Sequence, residues 1–153
     1  MKRIVLNIGD VVVSGEPAVL ETVLGSCVSI CLWDGQSKVG GMNHFLLPHL
    51  LEGIKDPAFC APGSVQNLIR NVLEIGAEIP NLRAKIFGGG RVIREFHENL
   101  DVGKENVRVA KELLNEYNIP VAGGFTGNSH GIKVVFYSAT GKVFVRNIEE
   151  TGN

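Results

Sequence analysis

Two residues in the N-terminal third of the chain are of the types that together perform acyl transfer. Cys27 ends the run Leu24-Gly25-Ser26-Cys27, and His44 lies within Gly41-Met42-Asn43-His44-Phe45-Leu46-Leu47-Pro48. A cysteine attacks a carbonyl carbon as its thiolate, and with an ordinary pKa near 8.5 it is mostly protonated at neutral pH until a neighbouring imidazolium favours the charged form. The imidazole can then protonate a departing amine and help water attack the resulting thioester. A glycine before Ser26-Cys27 lets the backbone turn sharply, so the N–H groups of Ser26 and Cys27 are the candidates for an oxyanion hole.

For these groups to meet, two strands must bring them together. Asp34-Gly35 marks a turn between the segments. With a loop from Asp34 to Ser37 and Trp33 opposite Lys38, an antiparallel hairpin sets Cys27 directly across from His44, where Cβ atoms lie roughly 4.5–5.5 Å apart on one face. A slip of one residue would send the side chains to opposite faces. The competing reading of Cys27 is packing, since a buried cysteine behaves as a small hydrophobe.

Other clusters are weaker. Cys27 and Cys31 on one strand stand about 13 Å apart, too far to share a zinc ion or a disulfide, so no metal site is expected. Gly88-Gly89-Gly90-Arg91 lacks the lysine and hydroxyl ending of a phosphate loop and reads as a turn or a wall beside the site. His49, His97 and His130 have no nucleophile paired with them in sequence, and Arg91, Arg94 and Glu95 read as a polar loop face.

Stepping along the chain, strands are expected at Ile4–Ile8, Ala18–Leu24, Cys27–Trp33 and Val39–Leu47, followed by an irregular excursion from Pro48 to Pro62. Ser64 is the expected N-cap of an amphipathic helix carrying Val65, Leu68, Ile69, Val72 and Leu73 and stopping at Gly76. Ala84–Phe87 is a short strand and Gly103–Tyr117 a second helix. Ile119–Ala122, Lys133–Tyr137 and Val143–Arg146 are strands, the last two joined by a hairpin at Thr140-Gly141. This order predicts a single-domain α/β sandwich with a mixed β-sheet and two main helices, spanning residues 1–153.

Composition narrows the function classes. Hydrophobic residues make up 44% of 153, and 15 Lys and Arg against 16 Asp and Glu leave a net charge of −1. Disorder and nucleic-acid binding are therefore disfavoured, the second because its affinity draws on phosphate neutralisation. No apolar run approaches the roughly 20 residues of a membrane helix, and the odd count of cysteines in a chain of this size favours a reducing compartment, so a cytoplasmic protein is expected.

The Leu24–Cys27 run with its following hydrophobic strand and Asp34, together with Gly41–Pro48, resembles the CheD family of chemoreceptor glutamine deamidases. Ala84-Lys85-Ile86-Phe87-Gly88-Gly89-Gly90 resembles the family's lysine-and-glycine strand end, and Gly103-Lys104-Glu105-Asn106-Val107 the start of its second helix. The resemblance implies a cofactor-free cysteine hydrolase that converts receptor glutamine to glutamate, with Cys27 as nucleophile and His44 as its partner. It also implies a threonine that orients the histidine, where this chain has Glu21 six residues before the cysteine and Thr22 beside it; Thr22 takes the assignment. Gly25 and Ser26 would line the substrate and oxyanion site. A second departure is Gly123–Ile132, which lacks an expected arginine and bears on a CheC-type phosphatase as partner. Two other functions stay open: a non-catalytic adaptor for receptors or such a phosphatase, and a protein-glutamate methylesterase using the same thioester route.

Overall fold

The structure, a computed structural model, describes residues 1–91 and 101–148; Arg94, Glu95 and His97 lie outside the described residues. In chain order these residues form β1 (Lys2–Val5), β2 (Val11–Ser14), β3 (Ala18–Leu24), β4 (Val28–Asp34), β5 (Val39–Asn43), α1 (Ala61–Glu74), β6 (Leu82–Gly88), α2 (Val102–Glu116), β7 (Val121–Thr126), β8 (Ile132–Tyr137) and β9 (Val143–Asn147). One sheet has the order β1-β3-β8-β9 and the other β2-β5-β4-β6-β7. Each is mixed, because β1 runs parallel to β3 and β6 parallel to β7 while the other pairs are antiparallel. The α/β sandwich with two main helices is thus observed, as two facing sheets and a helical layer.

β4 lies at the centre of the five-stranded sheet and is apolar along most of its length because both faces are covered. Val28, Ile30 and Leu32 pack with Leu82, Ala84 and Ile86 of β6 against Val65, Leu68, Ile69 and Val72 of α1 and Val109, Ala110 and Leu114 of α2. On the opposite face Cys31, Met42 and Phe87 meet Leu20, Leu24, Ile132, Val134 and Phe136 of the other sheet. Burying each of the larger side chains contributes roughly 1.5–3 kcal/mol. Among the described residues no helix is long and apolar enough to cross a membrane.

Three expectations are corrected. The first helix begins at Ala61 with Cys60 in the cap position and Pro62 in its first turn. Proline fits there because its missing N–H would have no helical partner, so Ser64 is carried inside the helix and buried rather than capping it. In the N-terminal region, β1 ends at Val5 and an unanticipated β2 follows.

The third correction is the β4/β5 register. Trp33 pairs with Gly40, not Lys38, and Asp34 stays in the ladder opposite Val39, so the loop runs from Gly35 to Lys38. Asp34 itself causes this: its Oδ1 accepts the N–H groups of Gln36 at 2.9 Å and Ser37 at 3.0 Å, which closes the loop one residue later than the sequence reading places it.

Candidate active site

The turn from β3 to β4 is Gly25-Ser26-Cys27, and every carbonyl in it has a donor. Gly25 O accepts the N–H of Gly90 at 2.9 Å, Ser26 O accepts Asn106 Nδ2 at 3.0 Å, and Cys27 O accepts the N–H of Gly89 at 2.9 Å. In a planar trans peptide the N–H points opposite to the carbonyl. Fixing the Gly25 and Ser26 carbonyls therefore fixes the Ser26 and Cys27 N–H groups, and among the described residues neither has a partner outside its own residue. The Gly88–Gly90 turn must be glycine to do this: Gly88 has φ +97° and a Cβ there would stand 2.2 Å from Cys27 O.

His44 follows the end of β5. Asn43 breaks the ladder just before it, because Asn43 Oδ1 takes the Ile30 N–H at 2.7 Å and the Ser29 hydroxyl bonds the Asn43 carbonyl. The His44 backbone instead pairs with the turn between β1 and β2, donating to Asp10 O at 3.1 Å and accepting from Gly9 N–H at 2.8 Å. The imidazole is 5% exposed and its Nδ1 lies 2.7 Å from Thr22 Oγ1, which sits 2.8 Å from Leu6 O. A hydroxyl has one proton. Given to Leu6 O, it leaves the Thr22 oxygen to accept Nδ1–H, so the lone pair of the neutral ring is on Nε2. That buried Nε2 has no hydrogen-bond partner among the described residues.

Cys27 and His44 line one open pocket of about 680 Å³, together with Val5, Leu6, Asn7, Ile8, Val23, Gly25 and Ser26. The observed register makes them diagonal rather than directly opposed neighbours. Val28 bridges Phe45, which puts Leu46 at the position across from Cys27 and His44 two residues away on the same face. The shift by two preserved the shared face that a shift by one would have destroyed. No sulfur–nitrogen hydrogen bond joins the pair. Burial lowers the His44 pKa to about 4, with Asp10 opposing weakly, and burial raises the Cys27 thiol against the effect of its own N–H. Both shifts favour the uncharged forms, a neutral thiol beside a neutral imidazole, over the thiolate and imidazolium considered from the sequence.

Thr22 thus reaches His44, whereas Glu21 faces away and pairs with Arg3 at 3.2 Å and Lys133 at 3.3 Å. Cys31 is buried between the sheets and Cys60 starts α1, both outside the pocket. Lys85 is also remote in role: its Nζ donates to Gly141 O and lies over Trp33. Sequence reasoning missed Asn43, Asn106 and the Leu6–Asp10 turn. Their common signal is a polar or glycine position held at 0% exposure or at positive φ, as with Asn43, Asn106 and Gly9, which only the fold reveals.

The fold and pocket define a two-sheet α/β sandwich with a thiol, an imidazole and a hydroxyl converging at one end. Residues 46–147 match the model of the family described as CheD chemotactic sensory transduction. A protein of Anaeromyxobacter dehalogenans named "Probable chemoreceptor glutamine deamidase CheD 1" is 40% identical over 95% of this chain and 85% of its own length. One of Rhodospirillum rubrum, named "Probable chemoreceptor glutamine deamidase CheD", is 40% identical over 97% of this chain and 84% of its own. The chain belongs to the CheD family.

Proposed function

We propose that this chain is a chemoreceptor glutamine deamidase and that Cys27, His44 and Thr22 perform the reaction. Its relatives' names supply the substrate class, and the observation that supports the chemistry is the Thr22–His44 contact, which leaves Nε2 unprotonated in the pocket that holds Cys27. His44 Nε2 takes the thiol proton as Sγ attacks the glutamine side-chain carbonyl carbon. The negative oxygen that forms accepts the Ser26 and Cys27 N–H groups. His44 returns the proton to nitrogen, ammonia leaves, and a thioester remains on Cys27. Water, deprotonated by His44, attacks that thioester and releases glutamate and the thiol. The sum is glutamine plus water giving glutamate plus ammonia.

Among the described residues no charged side chain lines the pocket, which suits a neutral carboxamide. A cytoplasmic setting and a CheC-type phosphatase partner belong to the same proposal. The test incubates the chain with cytoplasmic receptor fragments and reads the roughly one-dalton gain of glutamine to glutamate by mass spectrometry, beside Cys27→Ala. Conversion by wild type alone is expected. Equal conversion by both would remove Cys27 from the reaction, and tight receptor binding without conversion would make the chain an adaptor.

A further inference from the structure

Asn106 is wholly buried on α2, in the third layer, yet its side-chain amide reaches both segments that carry the reactive groups. Nδ2 donates to Ser26 O and to Leu46 O, each at 3.0 Å. Ser26 immediately precedes Cys27, and Leu46 stands two residues after His44. The two N–H bonds of one amide nitrogen therefore tie the turn bearing the thiol to the segment bearing the imidazole. Asn106 is not among the residues that line the pocket, so its part in the site runs through the backbone it holds.

The site has been built for this side chain. α2 approaches closely because Gly103 has no side chain: a Cβ there would stand 2.4 Å from Gly90 O and 2.5 Å from Gly89 C. Asp101 caps the helix by accepting the Lys104 N–H at 3.0 Å, which fixes the turn that lies two to five residues before Asn106. Ser26 O and Cys27 N–H share one peptide plane, so the atom that holds the carbonyl also sets the direction of the N–H.

Resting on the deamidase reading, we infer that Asn106 is a positioning residue of the oxyanion hole, aiming the Cys27 N–H through the Ser26 carbonyl while holding the His44 segment at a fixed distance. Removing the amide frees the Ser26–Cys27 peptide to rotate. The loss falls on steps that build a negative oxygen, and simple alkylation of the sulfur, which forms no oxyanion, is spared.

Deamidation of a receptor fragment and alkylation of Cys27 by iodoacetamide are compared in wild type, Asn106→Ala and the isosteric Asn106→Asp. Cooperative thermal melting selects the variants that are read. The expected result is a kcat lower by about 10²- to 10³-fold, the range for one lost oxyanion donor. KM and the Cys27 alkylation rate should both stay within about threefold of wild type, since neither depends on that donor. Equal losses in deamidation and alkylation, a change confined to KM, or failure of both variants to melt cooperatively would make Asn106 a structural tie and overturn the inference. Unchanged deamidation overturns it as well. A wild-type chain that leaves every glutamine intact overturns the functional reading itself, and this inference with it.

Discussion

Thr22 Oγ1 lies 2.7 Å from His44 Nδ1 and 2.8 Å from Leu6 O, so one hydroxyl links a buried imidazole to the backbone of the neighbouring strand end. Because the threonine proton is committed to Leu6, the ring has one tautomer available to it. Thr22→Val keeps the shape and removes that constraint, and kcat for deamidation is expected to fall by about 10²-fold, at the lower end for general acid–base catalysis. Thr22→Ser should recover most of it. Steady-state kinetics on a receptor fragment checks both, and a Thr22→Val enzyme as active as wild type would dismiss the contact as packing.

Glu21 occupies the position where the family resemblance places threonine, but its carboxylate turns to Arg3 and Lys133. Glu21→Gln is expected to leave kcat within about threefold. Its stability cost should be about 1–3 kcal/mol, because the Glu21 side chain is only 10% exposed and its amide would leave Arg3 and Lys133 without their charged partner. Denaturant unfolding and kinetics together separate the two roles, and a large loss of kcat would transfer the orienting function from Thr22 to Glu21.

Burial sets the pH behaviour. The His44 pKa of about 4 in the folded chain lies below its unfolded value of 6.5. Its contribution to stability is therefore full above 6.5 and is lost as pH falls from there toward 4, by an amount on the order of 3 kcal/mol. The base stays unprotonated over the same interval, so kcat/KM should hold down to about pH 5 in a chain that remains folded. Thiol alkylation should rise only in the alkaline range, because the Cys27 thiol is pushed up. An acidic limb near 6.5 with fast alkylation at neutral pH would instead show a resting thiolate–imidazolium pair.

Gly88→Ala tests the turn that holds the nucleophile from behind. The added Cβ would stand 2.2 Å from Cys27 O at a φ of +97°, so the backbone must move at Cys27 itself. A cost of about 1–2 kcal/mol from the left-handed conformation is expected. Activity should be reduced well beyond what that loss of stability explains. Circular dichroism melting and deamidation assays read the two effects, and an Ala variant with full activity would show that the Cys27 carbonyl need not be fixed.

Much of this arrangement is legible in the residues because alternation survives errors of register. The paired strands, the shared face of Cys27 and His44 and the β8–β9 hairpin follow from period-two patterning, which a two-residue shift leaves intact. The register itself depends on Asp34 capping its loop, a choice between two turn closures that local sequence does not decide. Ser64 is not the cap because Pro62 suits a first helical turn as well as serine suits a cap, and the helix starts at Ala61. Asn43 and Asn106 look like ordinary polar residues until the fold shows them buried with backbone partners from distant segments. The resting protonation of the pair was also out of reach, because it depends on how far the sheets exclude water.

In the proposed reaction Cys27 accepts the acyl group of a receptor glutamine. Rapid acid quenching during turnover, followed by intact-mass analysis and peptide mapping, tests it directly. A transient species heavier than the chain by the fragment less ammonia is expected, mapped to Cys27 and accumulating in His44→Ala only if exogenous imidazole is supplied. Steady glutamate formation with no adduct at any time, or an adduct mapped to Cys31 or Cys60, would contradict it.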